Sequence, residues 1–438
     1  MELRDLLVTP ILLIVIFFLA LLTRPYVTDA TNRRYFLSGL AVKIAGALAL
    51  GMIYQFYYDG GDTFIYHTHG SRIIWEAFLK SPSNGIKIFF SNGEYGPGVW
   101  DAADKIWYWR DPQSYAVIRI AALFDMITFS SYAATAILFA VLSFIGGWLL
   151  FLTFYKMYKN QHKWIAISCL FVPSVIFWGS GILKDTVTLA FLGISTFCIS
   201  KIFIEKRMNS FYNIFAIFSF YMIFSIKKYI LISFLIGVIV WLFASYFDRF
   251  RSGALRLILI PVVITICGLM TYFTINEIVK NDPKYALDKI AETSRITAYD
   301  IRYGWGARTG DGSGYTLGDL DGTFSNMLSL APQAINVTLF RPYLWEVKNP
   351  LMAFSALESL LLLVGTIYCI VRFRKQMAAN WKSPEVLFCL TFSLIFAFGV
   401  GVSTYNFGSL ARYKIPLLPF YLVGLSLLSN KGGKEASQ

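Results

Sequence analysis

Apolar stretches long enough to cross a bilayer recur along this chain, and no other feature of the sequence restricts its fold so strongly. A hydrocarbon core of roughly 30 Å takes about 20 helical residues to span. Runs near that length lie at 8–23, 37–56, 132–155, 164–178, 186–203, 211–225, 229–247, 255–274, 351–371, 386–402 and 413–428. They are continuous rather than alternating, and lipid offers no partner to an open backbone group, so they read as helices and not as barrel strands. Composition agrees, with 56% hydrophobic and 15% charged residues. The expectation is an all-α polytopic membrane helix bundle of about eleven spans, a single integral membrane domain over 1–438 with two long loops at 57–131 and 275–350.

The linkers set an orientation, because cytoplasmic loops carry the excess of Lys and Arg. Every second loop is basic: Arg24, Arg33 and Arg34; Lys156, Lys159 and Lys163; Lys201, Lys206 and Arg207; Arg249, Arg251 and Arg256; Arg372, Arg374, Lys375 and Lys382; then Lys431 and Lys434. The N-terminus is therefore expected outside, the C-terminus inside, and both long loops on the outer face. The net charge of +13 follows mostly from this rule, so no nucleic-acid partner is expected. The first apolar segment has an acidic-basic start and no small-residue cleavage pattern, and the orientation needs it, so it counts as a span. Cys169, Cys198, Cys267, Cys369 and Cys389 all fall inside expected spans without metal-type spacing and read as core thiols. His67 and His69 could ligate a metal, but no Cys or third His accompanies them on the outer side.

Chemistry-bearing residues gather at the outer ends of the spans. Tyr57-Tyr58-Asp59-Gly60-Gly61-Asp62 follows the second span and puts two carboxylates three residues apart beside glycines, at what reads as a helix start. Asp62 is the candidate base and Asp59 its orienter; helix capping explains either residue alone equally well. The apolar stretch Ser114 to Ser131 carries Arg119 and Asp125, so it is expected in the interface or packed on the bundle rather than as a further span. Lys184 and Asp185 emerge at the outer boundary against the charge rule, as an ion pair or as a cation serving an anionic ligand. Lys227 and Lys228 break the same rule and are expected to snorkel to lipid head groups. In the last outer loop Arg412 can grip a phosphate bidentately and Lys414 can add a point charge.

The second long loop contains a glycine-rich stretch, 303–322, in which Tyr303, Trp305 and Tyr315 could stack on sugar rings; a lid and a plain surface loop both fit. Residues 280–302 read as an amphipathic helix, and Arg341-Pro342-Tyr343-Leu344-Trp345 as an interface anchor.

Three segments together resemble a family. The Gly-Asp-x-x-x-Tyr context of Asp62, Pro173-Ser174 with Trp178-Gly179-Ser180-Gly181 and Lys184-Asp185, and Arg412-Tyr413-Lys414-x-Pro416-x-x-Pro419-Phe420 look like the polytopic bacterial GT-C glycosyltransferases, which take sugar from a polyprenyl-phosphate carrier. The resemblance covers most of the chain by topology and order and rests on these short motifs. It implies that Asp62 acts as base on an incoming hydroxyl, while Arg412, Lys184 and Lys414 hold the donor phosphate. Tyr66, His67, Trp305 and Tyr413 are the candidate substrate contacts. It further implies an inverting transfer to a glycan, lipid or protein acceptor, on the outer face of the bacterial inner membrane. No nucleotide site is needed, and no cofactor is expected beyond a possible divalent cation shared by Asp59, Asp62 and Asp101. One departure stands: the family usually places its acid after the first span, and here it follows the second.

Two other functions fit parts of the sequence. A polysaccharide polymerase or O-antigen ligase would use the glycine-rich loop with Arg302, Arg308 and Arg341. A lipid or solute transporter predicts inverted repeats and midplane charges; no internal repeat is evident, and Lys43 is the clearest charge within a span.

Overall fold

A computed structural model describes residues 3–247 and 324–431, together with 313–318 and the isolated positions 265, 292, 295, 296, 299, 300 and 303. Among the described residues every regular element is helical, and the one β-type contact is a bridge between Gly314 and Asn406. Seven helices are long and apolar enough to cross a membrane: Leu3–Val27, Arg33–Phe56, Tyr132–Met157, Lys184–Ile204, Lys228–Tyr246, Pro350–Arg372 and Pro384–Thr404. This is a multi-pass membrane protein.

Several expected spans take other forms. The run at 164–178 is two short helices, because Pro173 has no N–H to donate and Val172 before it is extended (ψ 123°). The run at 211–225 is a helix of 17 residues, Ser210–Ile226, and that at 413–428 contracts to Leu418–Leu428 behind Pro416. The span expected at 255–274, most of 280–302 and most of the glycine-rich loop lie outside the described residues.

The chain divides into two compact units, residues 1–156 with 169–227, and 157–168 with 228–438. In the first unit the helices are labelled α1 (Leu3–Val27), α2 (Arg33–Phe56), α3 (Asp62–Tyr66), α4 (Arg72–Lys80), α5 (Pro82–Phe90), α6 (Trp100–Ala103), α7 (Pro112–Thr128) and α8 (Tyr132–Met157). They continue with α9 (His162–Leu170), which bridges the division, then α10 (Pro173–Trp178), α11 (Lys184–Ile199) and α12 (Ser210–Ile226).

Small residues bring the backbones together where lipid supplies no hydrophobic drive between helices. A Cβ on Gly193 of α11 would stand 2.0 Å from the Gly146 carbonyl of α8, and one on Gly46 of α2 would stand 2.3 Å from the Ile176 carbonyl of α10. Lys43, buried in α2, donates to Ser143 Oγ (3.0 Å) and to the carbonyls of Val175 (2.9 Å) and Gly179 (3.0 Å). The Val175 carbonyl also accepts the capping N–H of Gly179 (3.2 Å), and the Gly179 carbonyl, just past the end of α10, also accepts from the Ser143 hydroxyl (2.6 Å). Lys43 therefore ties α2 to the irregular segment that leads into α11.

The stretch around Asp125 is packed in the bundle. Asp125 accepts from Thr135 Oγ1 (2.7 Å), and Arg119 donates to the carbonyls of Phe89 (2.8 Å) and Ser91 (2.6 Å). In the second unit an aromatic core of Phe234, Trp241, Phe388, Phe392 and Phe420 joins the helices Lys228–Phe247, Pro384–Thr404 and Leu418–Leu428. Tyr158 closes part of this unit by donating to Glu385 at 2.9 Å.

Candidate functional site

The turn after α2 determines where Asp62 stands. Gly60 (φ +119°) and Gly61 (φ +118°) adopt backbone that side chains disfavour, and a Cβ on Gly61 would also press on the Tyr54 ring at 2.9 Å. The chain thereby reverses within a few residues and starts α3 at Asp62. The Asp62 carboxylate is half-buried and accepts a long hydrogen bond from Tyr108 Oη at 3.4 Å. Tyr66 lies one turn further on the same face, with its ring 5.3 Å from that of Tyr108. Asp59, itself at φ +52°, is exposed at the tip of the turn.

Asp111 caps α7 through the Gln113 N–H at 3.0 Å and accepts from the Ser114 hydroxyl. Lys184, the first residue of α11, reaches Asp111 at 3.4 Å and lies within electrostatic range of Asp62 and Lys227. Burial would raise the Asp111 carboxyl, but the Lys184 ammonium and the Ser114 hydrogen bonds outweigh it and hold the group below its ordinary value. α11 starts without a side-chain cap, so its first N–H groups add to the positive potential around Lys184. Behind them Lys227 of the α12 end forms a buried ion pair with Asp185. One cluster thus holds Asp62, Tyr108, Asp111, Lys184, Asp185 and Lys227. It offers a half-buried carboxylate with a phenol beside it, and a cation placed between two acids.

Several expected roles change. Lys184 is paired with Asp111 rather than with its neighbour Asp185, and Lys227 turns inward to Asp185 instead of snorkelling. His67, expected to touch substrate, is wholly enclosed, 3.4 Å from Asp125, with its ring edge-on to Tyr132. Tyr66 is buried beneath Tyr108. Lys414, expected at the donor phosphate, is buried in the second unit and donates to Ser359 Oγ at 3.0 Å, beside Glu358. Tyr315 is buried too and donates to the Gly401 carbonyl at 3.2 Å, while Ser313 accepts from the Phe407 N–H. Arg341 is held by Glu346 and lies over the rings of Tyr315, Tyr343 and Phe407. Arg412 and Tyr413 are half-buried at the end of the helix Phe407–Tyr413, whose start is capped by Asn406. Trp305 lies outside the described residues. Among the described residues no group of three His, Cys, Asp or Glu is arranged to hold a metal, and Asp59 and Asp101 are both exposed.

Tyr108 and Asp111 did not stand out in the sequence. The Asp111-Pro112 pair before an apolar run is a helix-start signal and marks the cap, but its partner Lys184 lies 73 residues away. No family model, curated protein or solved structure matches the chain.

Proposed function

We propose that this chain is a GT-C-like glycosyltransferase that moves a sugar from a polyprenyl-phosphate carrier to a glycan, lipid or protein acceptor, at the outer face of the bacterial inner membrane. The observation that carries this reading is that Asp62 and Lys184, 122 positions apart in sequence numbering, share one cluster. A base for the acceptor and a cation for the leaving phosphate are what such a transfer requires.

In the proposed step Asp62 takes the proton of the acceptor hydroxyl as its oxygen attacks the anomeric carbon from the face opposite the phosphate. The bond from that carbon to the phosphate oxygen breaks, the electron pair leaves with the carrier phosphate, and the configuration inverts. Lys184, drawn from Asp111, compensates the departing charge together with the uncapped start of α11. Tyr108 orients the Asp62 carboxylate. Arg412 keeps, within this proposal, the donor-phosphate role that the resemblance implies for it. Lys414 and His67, given their burial, are assigned to packing.

The test is purified protein in lipid vesicles, offered a panel of polyprenyl-phosphate sugars and assayed for carrier release. One donor is expected to be consumed with release of an equal amount of polyprenyl phosphate. Consumption of none rejects the reading, and transfer of a whole glycan from an added polyprenyl-pyrophosphate-linked glycan, with release of carrier pyrophosphate, replaces it with ligation.

A further inference from the structure

The first unit carries a second charge cluster, at the opposite end of α11 from Asp62. The span Lys184–Ile204 places Lys184 at one boundary and Lys201 about 25 Å further along the axis, near the other. α8 starts beside α3, where Tyr132 and Thr63 hydroxyls meet at 2.8 Å, passes α11 at Gly146 and Gly193, and so brings Lys156 to the same end as Lys201. Lys201 is buried and donates to both oxygens of Glu205 at 2.5 Å. Lys206 then adopts left-handed backbone (φ +55°), which folds the chain back. The Arg207 N–H thereby reaches the Lys201 carbonyl at 2.9 Å, and its Nε lies 3.3 Å from Glu205.

The exposed Lys156 ammonium faces that of Lys201 at close range, with Glu205 and Arg207 as the other charges acting on it. Three cations thus share one carboxylate. Glu205 commits both oxygens to Lys201 and one of them also to Arg207, so Lys156 has no ion pair among the described residues. Arg207 is 66% exposed and meets Glu205 through Nε, so its five-donor guanidinium can take a second acceptor. Two like charges held together cost free energy, and the acid between them is already shared. The cluster is built for a further anion.

The surface beside it narrows the choice of anion. α12 starts three residues after Arg207, and Phe211, Ile214, Phe218 and Tyr221 form one exposed stripe along it, about 15 Å long. Excess positive charge at the boundary, continued by an apolar strip, matches an amphiphile with a negative head. A zwitterionic head would bring its own ammonium against Lys156 and Arg207, and free phosphate would leave the strip unused. We propose that the ends of α8 and α11 bind an anionic phospholipid, its phosphodiester between Lys156 and Arg207 and an acyl chain along the exposed stripe of α12.

The experiment titrates delipidated, detergent-purified full-length protein with dioleoyl phosphatidylglycerol, and with phosphatidylethanolamine of the same chains, and counts retained lipid by native mass spectrometry. One phosphatidylglycerol should be retained, with phosphatidylethanolamine about tenfold weaker. Lys156→Gln and Arg207→Gln, both at exposed positions, should each weaken phosphatidylglycerol about fivefold without changing the circular dichroism. Arg33→Gln removes an exposed cation from the same end, where Asp29 of the α1–α2 turn accepts from Tyr155 at 2.8 Å, and should leave retention unchanged. Millimolar inorganic phosphate should not displace the lipid. Equal retention of the two lipids by the wild type overturns the proposal, and this comparison stands even where a variant does not fold. Undiminished binding in both folded cluster variants, an equal loss in Arg33→Gln, or displacement by phosphate overturns it as well. None of these readouts depends on sugar transfer.

Discussion

The Lys227–Asp185 pair gives the sharpest stability prediction, because its energetics follow from burial alone. The two side chains are 8% and 0% exposed and are in direct contact. Lys184 offers no substitute cation, since it already faces Asp111 at 3.4 Å. Lys227→Met leaves the Asp185 carboxylate buried without its ammonium, a loss worth about 3–5 kcal/mol when one partner of a buried pair is removed. The double variant Lys227→Met with Asp185→Leu removes both charges and keeps apolar bulk, and such replacements are often neutral. It should therefore return to within about 1–2 kcal/mol of the wild type, recovering most of the Lys227→Met loss. Equilibrium unfolding in mixed detergent micelles, followed by tryptophan fluorescence on all four proteins, measures this cycle. A single variant within about 1 kcal/mol of the wild type, or a double variant no more stable than Lys227→Met, would refute the reasoning.

Three further outcomes are expected. Asp111 has a depressed folded-state pKa, so its contribution to stability is present above the unfolded value, near 4, and is lost as pH falls through the lower folded value. Asp111→Asn should flatten the acid side of the melting-temperature profile, and parallel profiles would contradict the Lys184 contact. Gly193→Ala sets a methyl against the Gly146 backbone and should cost about 1–3 kcal/mol or more in the same unfolding assay; an unchanged midpoint would mean that α8 and α11 do not cross at these glycines. Arg412→Ala should raise the KM for donor more than it lowers kcat, and unchanged donor affinity would return Arg412 to an anchoring role.

Continuous apolar length made the membrane class legible, since a bilayer leaves helices as the solution for such runs. The same length rule took 164–178 and 413–428 as single helices, where prolines remove backbone donors and divide or shorten them. The glycine pair before Asp62 correctly marked a reversal and a helix start, because those φ values belong to glycine. Only part of the company of Asp62 was legible: the ordered motifs put Lys184 in its site, whereas Tyr108 and Asp111 come from a remote segment that no local period ties to it. Lys43 showed the opposite pattern. Its oddity inside a span was plain, but its three acceptors come from α8 and the segment after Pro173. The burial of His67 and Lys414 was hidden for the same reason, since residue type suggests a ligand while the neighbouring helices decide the exposure.

The role assigned to residue 62 is tested most directly by the turnover of Asp62→Asn in vesicles, measured beside its melting temperature. The substitution keeps the shape and an acceptor for Tyr108 but removes the basic oxygen. Transfer should fall by about two to four orders of magnitude with the melting temperature unchanged. Wild-type turnover in a folded Asp62→Asn protein would contradict the assignment of the base.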